Sequence, residues 1–133
     1  MSYAEIKIKN HKKHNKKIMF VIFDDCDITD GSKLDKLIDE YHTIIRENKG
    51  ISIIADARGI KSFSKTLAFS KAGIMAKHDD LVRENVSSTA ILLDSPVLKL
   101  LLDSVMKVYT PVVPTKVAKD NSDAMEYVIS HFK

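Results

Sequence analysis

The chain has 133 residues, 44% of them apolar and 29% charged, with a formal net charge of +3. That length suits one domain, residues 1–133, able to bury a core. A single cysteine, Cys26, excludes an intrachain disulfide and a cysteine-rich metal site. The longest apolar runs, Ile18–Phe23 and Ala90–Leu93, are too short to span a membrane, and no signal-peptide core opens the chain. A cytoplasmic protein with no transmembrane segment is therefore expected. Lys7, Lys9, Lys12, Lys13, Lys16 and Lys17 crowd one end, and the rest of the chain is close to balanced. That distribution argues against an extended nucleic-acid surface, and no nucleic-acid partner is expected.

Tyr3–Lys9 alternates polar and apolar residues and reads as a half-buried strand. Asn10–Asn15 is a polar loop, and Lys17–Asp24, with its continuous apolar core, reads as a second strand buried on both faces. The short loop between them implies an antiparallel hairpin. Asp30 or Ser32 caps a helix over about Lys33–Asn48, whose stripe is Leu34, Leu37, Ile38, Tyr41, Ile44 and Ile45. Gly50 suits a left-handed helix stop. Ile51–Ala55 is a third strand, running into Asp56 and a turn at Arg58-Gly59.

A second helix is expected over about Lys65–Glu84, with a weak stripe (Leu67, Ile74, Leu81) and Gly73 placed for a close contact. Thr89–Leu93 is a fourth strand. Asp94-Ser95-Pro96 opens a third helix, Val97–Tyr109, which is apolar nearly all round and so expected to be well covered. Val112–Ala118 is a fifth strand with Pro114 at an edge or bulge. A fourth helix near Ser122–Phe132 docks Ala124, Tyr127, Val128 and Phe132. Alternating strands and helices after the hairpin demand right-handed crossovers. The expected class is α/β: a mixed, mostly parallel five-stranded sheet with about four flanking helices.

Asp27-Ile28-Thr29-Asp30, IIADARGIKSF, AILLDSPVLKLLL and VVPTKVAKDNSDAMEYV together cover nearly the whole chain. In that layout the sequence resembles the SpoIIAA-like family, part of the STAS group (sulfate transporters and anti-sigma-factor antagonists). The resemblance implies a mixed sheet with flanking helices and a regulatory surface at the strand–turn–helix. In the antagonists a serine just before the turn's glycine is phosphorylated. Here Arg58 precedes Gly59, so the phosphoswitch does not carry over, although a binding role for that surface can.

Other chemistry is thinner. Asp24-Asp25, Asp56 and Asp94 end presumed parallel strands, where clustered oxygens can hold magnesium. Aspartate is also a good cap and turn former, which explains them more simply. Phe23–Thr29 contains D-x-D-x-T and looks like the first motif of haloacid-dehalogenase-type phosphatases, with Asp25 as nucleophile and Asp27 as acid/base. Ser95 and Lys119 stand in only loosely for the remaining parts, and Asp120 with Asp123 is a poor acidic pair. A receiver-domain reading of Asp24, Asp25 and Asp56 fails for want of an intervening strand. His11 and His14 sit among lysines, and His42, His78 and His131 are scattered with no partner at useful spacing. There is no nucleophile elbow and no phosphate-binding glycine loop.

The expected function is a non-enzymatic STAS-like regulatory or protein-interaction module without the usual phosphoacceptor serine. It needs no cofactor, metal or catalytic residue. Two alternatives stand beside it. One is a small apolar (lipid) ligand between the second and third helices, implied by resemblance to small lipid-carrying relatives of the fold. The other is a magnesium-dependent phosphatase using Asp25 and Asp27. The expected binding surface is Arg58, Gly59, Ile60, Lys61, Ser62 and Phe63, where a guanidinium, a glycine and an aromatic ring meet at a sheet edge. The blander reading makes Gly59 a tight turn and Ile60 and Phe63 core. The expected partners are an unidentified protein and, through the apolar third helix or a sheet edge, a second copy of the chain.

Overall fold

The computed structural model describes residues 2–133. Strands β1 (Ala4–His11) and β2 (Lys16–Phe23) form the antiparallel hairpin, with Ile6 opposite Val21 and Lys9 opposite Ile18. Asn15 closes its turn at φ 50°, in the left-handed region that asparagine tolerates better than most residues. The chain continues through β3 (Cys26–Ile28), α1 (Gly31–Glu47), β4 (Ile51–Asp56), β5 (Ile60–Phe63), α2 (Lys65–Ala76) and α3 (Asp79–Asn85). It ends with β6 (Val86–Leu92), α4 (Pro96–Val108), β7 (Thr115–Ala118) and α5 (Asn121–Ser130).

One five-stranded sheet has the order β1-β2-β4-β6-β7, antiparallel only between β1 and β2. This is the mostly parallel α/β sheet expected, with β4 at its centre. Two features differ. The short strands β3 and β5 pair in parallel as a second sheet beside the first. Each is too brief, and too mixed in polarity, to show a period. The long second helix also breaks in two: His78 leaves the helical region at ψ 15° and α3 starts afresh after it. Among the described residues there are therefore five helices, and β7 is shorter than expected. Pro114 lies just before it, its carbonyl accepting the Thr89 N–H at 2.9 Å.

Local chemistry fixes the helix starts. Asp30 accepts the Ser32 and Lys33 N–H groups ahead of α1, Ser64 that of Leu67, Ser95 that of Leu98, and Asp120 that of Asp123. Gly50, at φ 86°, turns the chain from α1 into β4.

Strand parity divides the core. Met19, Val21, Ile51, Ile53 and Val86 face α1, which contributes Leu34, Leu37, Ile38 and Ile45. Ile18, Ile54, Ala90, Leu92 and Ala118 face α5, through Ala124 and Val128. Each such aliphatic side chain, fully buried, adds about 1.5–3 kcal/mol. Helices α2 and α4 behave differently. No residue of α2 is fully buried, and in α4 only Leu98 is. Nor is α4 well covered: Val97, Leu100 and Val108 are 74%, 68% and 62% exposed along one outer stripe.

Candidate functional site

The β4–β5 turn is built on one ion pair. Arg58 forks onto Asp56, Nε to Oδ1 at 2.9 Å and Nη2 to Oδ2 at 2.8 Å, and Nη2 also donates to Asn121 Oδ1 at 3.2 Å. The side-chain hydrogen bonds from Arg58 hold the Asp56 carboxyl below the usual carboxylate range, and Asp56 in turn raises the guanidinium. Gly59 is there for space: a Cβ would run into the Phe23 carbonyl oxygen and come within 2.7 Å of that of Asp24. The close approach lets the Cys26 N–H donate to the Gly59 carbonyl at 3.1 Å.

The rest of the expected surface splits in two directions. Lys61 pairs with Asp25 at 3.4 Å, and the Ser62 hydroxyl donates to Asp27 Oδ1 at 2.6 Å, both exposed. Ile60 and Phe63 point the other way and line a cavity. That cavity, of about 330 Å³, lies between the sheet and helices α1, α2 and α4. Its floor is Val21, Phe23, Ile53, Ala55 and Ile91; α1 supplies Leu34, Leu37, Ile38 and Tyr41; α2 supplies Ala68, Ala72 and Met75; α4 supplies Leu98, Leu101, Leu102 and Val105. Among the described residues that line it, only Tyr41, Lys71 and Thr89 have polar side-chain groups.

The hollow has a local cause. Ala55, Ala57, Ala68 and Ala72 stand where close packing would need longer side chains. The hollow is partly open to solvent, so its cost is that of apolar surface left in contact with water. An apolar lining also gives water few partners. The weak apolar stripe of α2 is the sequence signal of this hollow: alanines replace the larger residues that would seat the helix on the sheet.

Lys71 reaches across from α2 to α1, its Nζ 2.7 Å from Asp35 Oδ1. Gly31, at the start of α1, lies beside it: a Cβ there would make ordinary contact with Lys71 Cε and Nζ at 3.6 Å and a tighter one with Leu67 Cδ1 at 3.3 Å. Burial pushes the Tyr41 phenol up to about 12, so it stays protonated. Beyond Tyr41, His42 is buried with its ring stacked on that of His78, centroids 4.0 Å apart. Sequence spacing showed no partner for either histidine; the break between α2 and α3 brings them together.

The strand-end carboxylates do not converge. Asp56 is taken by Arg58, Asp25 by Lys61 and Asp27 by Ser62, and among the described residues no three His, Cys, Asp or Glu side chains are grouped to hold a metal ion. Burial, aided by Asp24 and Asp27, raises the Cys26 thiol, which makes it a poor nucleophile near neutral pH. His11 and His14 pack on Phe132, with ring centroids 5.6 and 5.3 Å away. Among the described residues no helix is long and apolar enough to cross a membrane.

A mostly parallel sheet opened by an antiparallel hairpin, with helices on both faces, defines an α/β domain with a SpoIIAA-like fold. The solved structure of an uncharacterized protein of the DUF3478 family from Shewanella loihica PV-4, described as having a SpoIIAA-like fold, superposes with a TM-score of 0.59. The two are 14% identical over 96% of this chain and 94% of that one, a likeness of fold alone. The chain itself belongs to the family described as Domain of unknown function (DUF7793), which matches residues 12–132. No curated protein matches it.

Proposed function

We propose that this protein is a non-catalytic, STAS-like regulatory module that holds one small apolar ligand between its sheet and helices α1, α2 and α4. The observation that carries the reading is the cavity of about 330 Å³, lined almost wholly by apolar side chains. Binding sites for small molecules are concave, mostly apolar and about 300–1,000 Å³ in volume. The Arg58–Phe63 turn gives such a ligand an outlet. Ile60 and Phe63 touch the cavity while Arg58, Lys61 and Ser62 face solvent from the same short segment. A protein partner reading that outer face would sense whether the cavity is filled. In this reading ligand occupancy takes the place of the phosphorylation that Arg58 precludes. The outer stripe of α4 (Val97, Leu100, Val108) is where we place the contact with a second copy in a homodimer.

Titration of the purified protein with dodecanol, followed by calorimetry, tests the cavity. The expected result is one site per chain, with binding lost in Ala72→Phe, which fills the hollow from α2. No binding to the wild type, or equal affinity in Ala72→Phe, would overturn the proposal.

A further inference from the structure

We propose that the ligand is a single-chain carboxylate, a fatty-acid-like molecule whose head group is held by Lys71 and whose alkyl chain lies along the apolar wall toward Tyr41 and Met75. The inference rests on the apolar-ligand reading above and adds the chemistry of the head group.

Three observations lead to it. The first is size. An apolar cavity of about 150 Å³ accommodates benzene, so one of about 330 Å³ takes roughly a dozen carbon atoms. That is one alkyl chain of moderate length, with no space for a second.

The second is polarity. Lys71 is the one side chain in the lining with a full charge, and its side chain is only 14% exposed. An ammonium set in an otherwise apolar wall favours an anionic group beside it, because a neutral ligand would strip water from the charge and return nothing. Asp35 holds it at 2.7 Å but occupies only one of its three donors, and Asp35 is itself half exposed, so much of its negative charge is spent on solvent.

The third is direction. The half-exposed Asp35 carboxylate puts the Lys71–Asp35 pair at the solvent-facing edge between α1 and α2. Tyr41 sits about 9 Å further along the α1 axis than Asp35. At that far end the polar feature is a phenol that stays protonated, with no cation to hold a second charge. The site therefore has one cationic end, which suits an anionic head group, and one apolar end.

Calorimetric titration of the full chain with dodecanoate and with dodecanol, at neutral pH, separates the two layers of the argument. The wild type is expected to bind the acid about tenfold or more tightly than the alcohol, the worth of one hydrogen bond to a charged group. In Lys71→Met the preference should vanish while the alcohol still binds, which also shows that the variant is folded. Asp35→Asn should tighten the acid and leave the alcohol unchanged. Equal binding of acid and alcohol by the wild type, or a preference that survives Lys71→Met, would overturn the head-group assignment and leave the apolar cavity standing. Failure of both probes to bind the wild type would overturn the cavity reading and this inference with it.

Discussion

His42 shows how one residue acquires properties that spacing does not reveal. Burial lowers its pKa from 6.5 to about 4, with help from the nearby charges of His78 and Arg46 and against the pull of Asp39. Its Nε2 has no hydrogen-bond partner. The folded-state value lies below the unfolded one, so as pH falls the unfolded chain takes up the proton first. The stabilisation from neutral His42 is therefore complete above about pH 6.5 and is lost as pH falls toward about 4. Thermal melts across that window should show the midpoint dropping in the wild type and a flatter profile in His42→Leu; parallel profiles would contradict the assignment. The glycines make a second contrast. At Gly59 the obstacle to a Cβ is backbone, the carbonyls of Phe23 and Asp24; at Gly73 it is the end of the Tyr109 side chain, 2.9 Å away. Gly59→Ala should cost about 1–3 kcal/mol by urea unfolding, because the strand ends must move apart. Gly73→Ala should cost far less, since Tyr109 can swing away. Gly50 and a cap at Asp30 or Ser32 were legible residue by residue because each acts on its immediate neighbours, and the structure gives the cap to Asp30. The His42–His78 stack was not, since it depends on a helix breaking at His78.

At the scale of elements, α2 and α4 set this chain apart. Sequence periodicity located α1, β4, β6, α4 and α5 because each has a clear face or a continuous apolar run. It missed β3 and β5, whose pairing comes from the close approach at Gly59 rather than from any pattern of their own. It also misjudged α4, because an apolar perimeter implies burial only where neighbours fill the space around it. Here the inner residues Leu98, Leu101, Leu102 and Val105 line a hollow, and the outer stripe meets solvent. Filling that hollow from α2 should stabilise the unliganded protein. Ala72→Phe is expected to raise the unfolding free energy by about 0.5–2 kcal/mol, and a loss of stability would mean that the space is not available. Phe63→Ala, by contrast, enlarges a cavity that already exists. It should cost less than the about 3–5 kcal/mol typical of a close-packed phenylalanine.

For the molecule as a whole, chain order and crossover handedness fixed the sheet, with β4 between two parallel neighbours. The same arrangement recurs in a structure only 14% identical to it, because it follows from alternation of elements rather than particular side chains. Of the expected surface, Arg58–Phe63 was legible as a segment at the sheet's carboxyl edge. The inward turn of Ile60 and Phe63 into a hollow was not, since a sequence shows which residues are apolar and not whether they meet. Assembly is tested by sedimentation at micromolar concentration: the wild type should run as a dimer and Leu100→Lys as a monomer, and a monomeric wild type would remove the α4 contact.

The central claim is that the inner face of α4, and not its outer face, meets an apolar ligand. Methyl NMR during addition of dodecanol reads both faces in one experiment. Saturable shifts are expected for Ile53, Met75, Leu98 and Val105, with Val97, Leu100 and Val108 unmoved. Shifts confined to Val97, Leu100 and Val108, or no shifts at all, would contradict it.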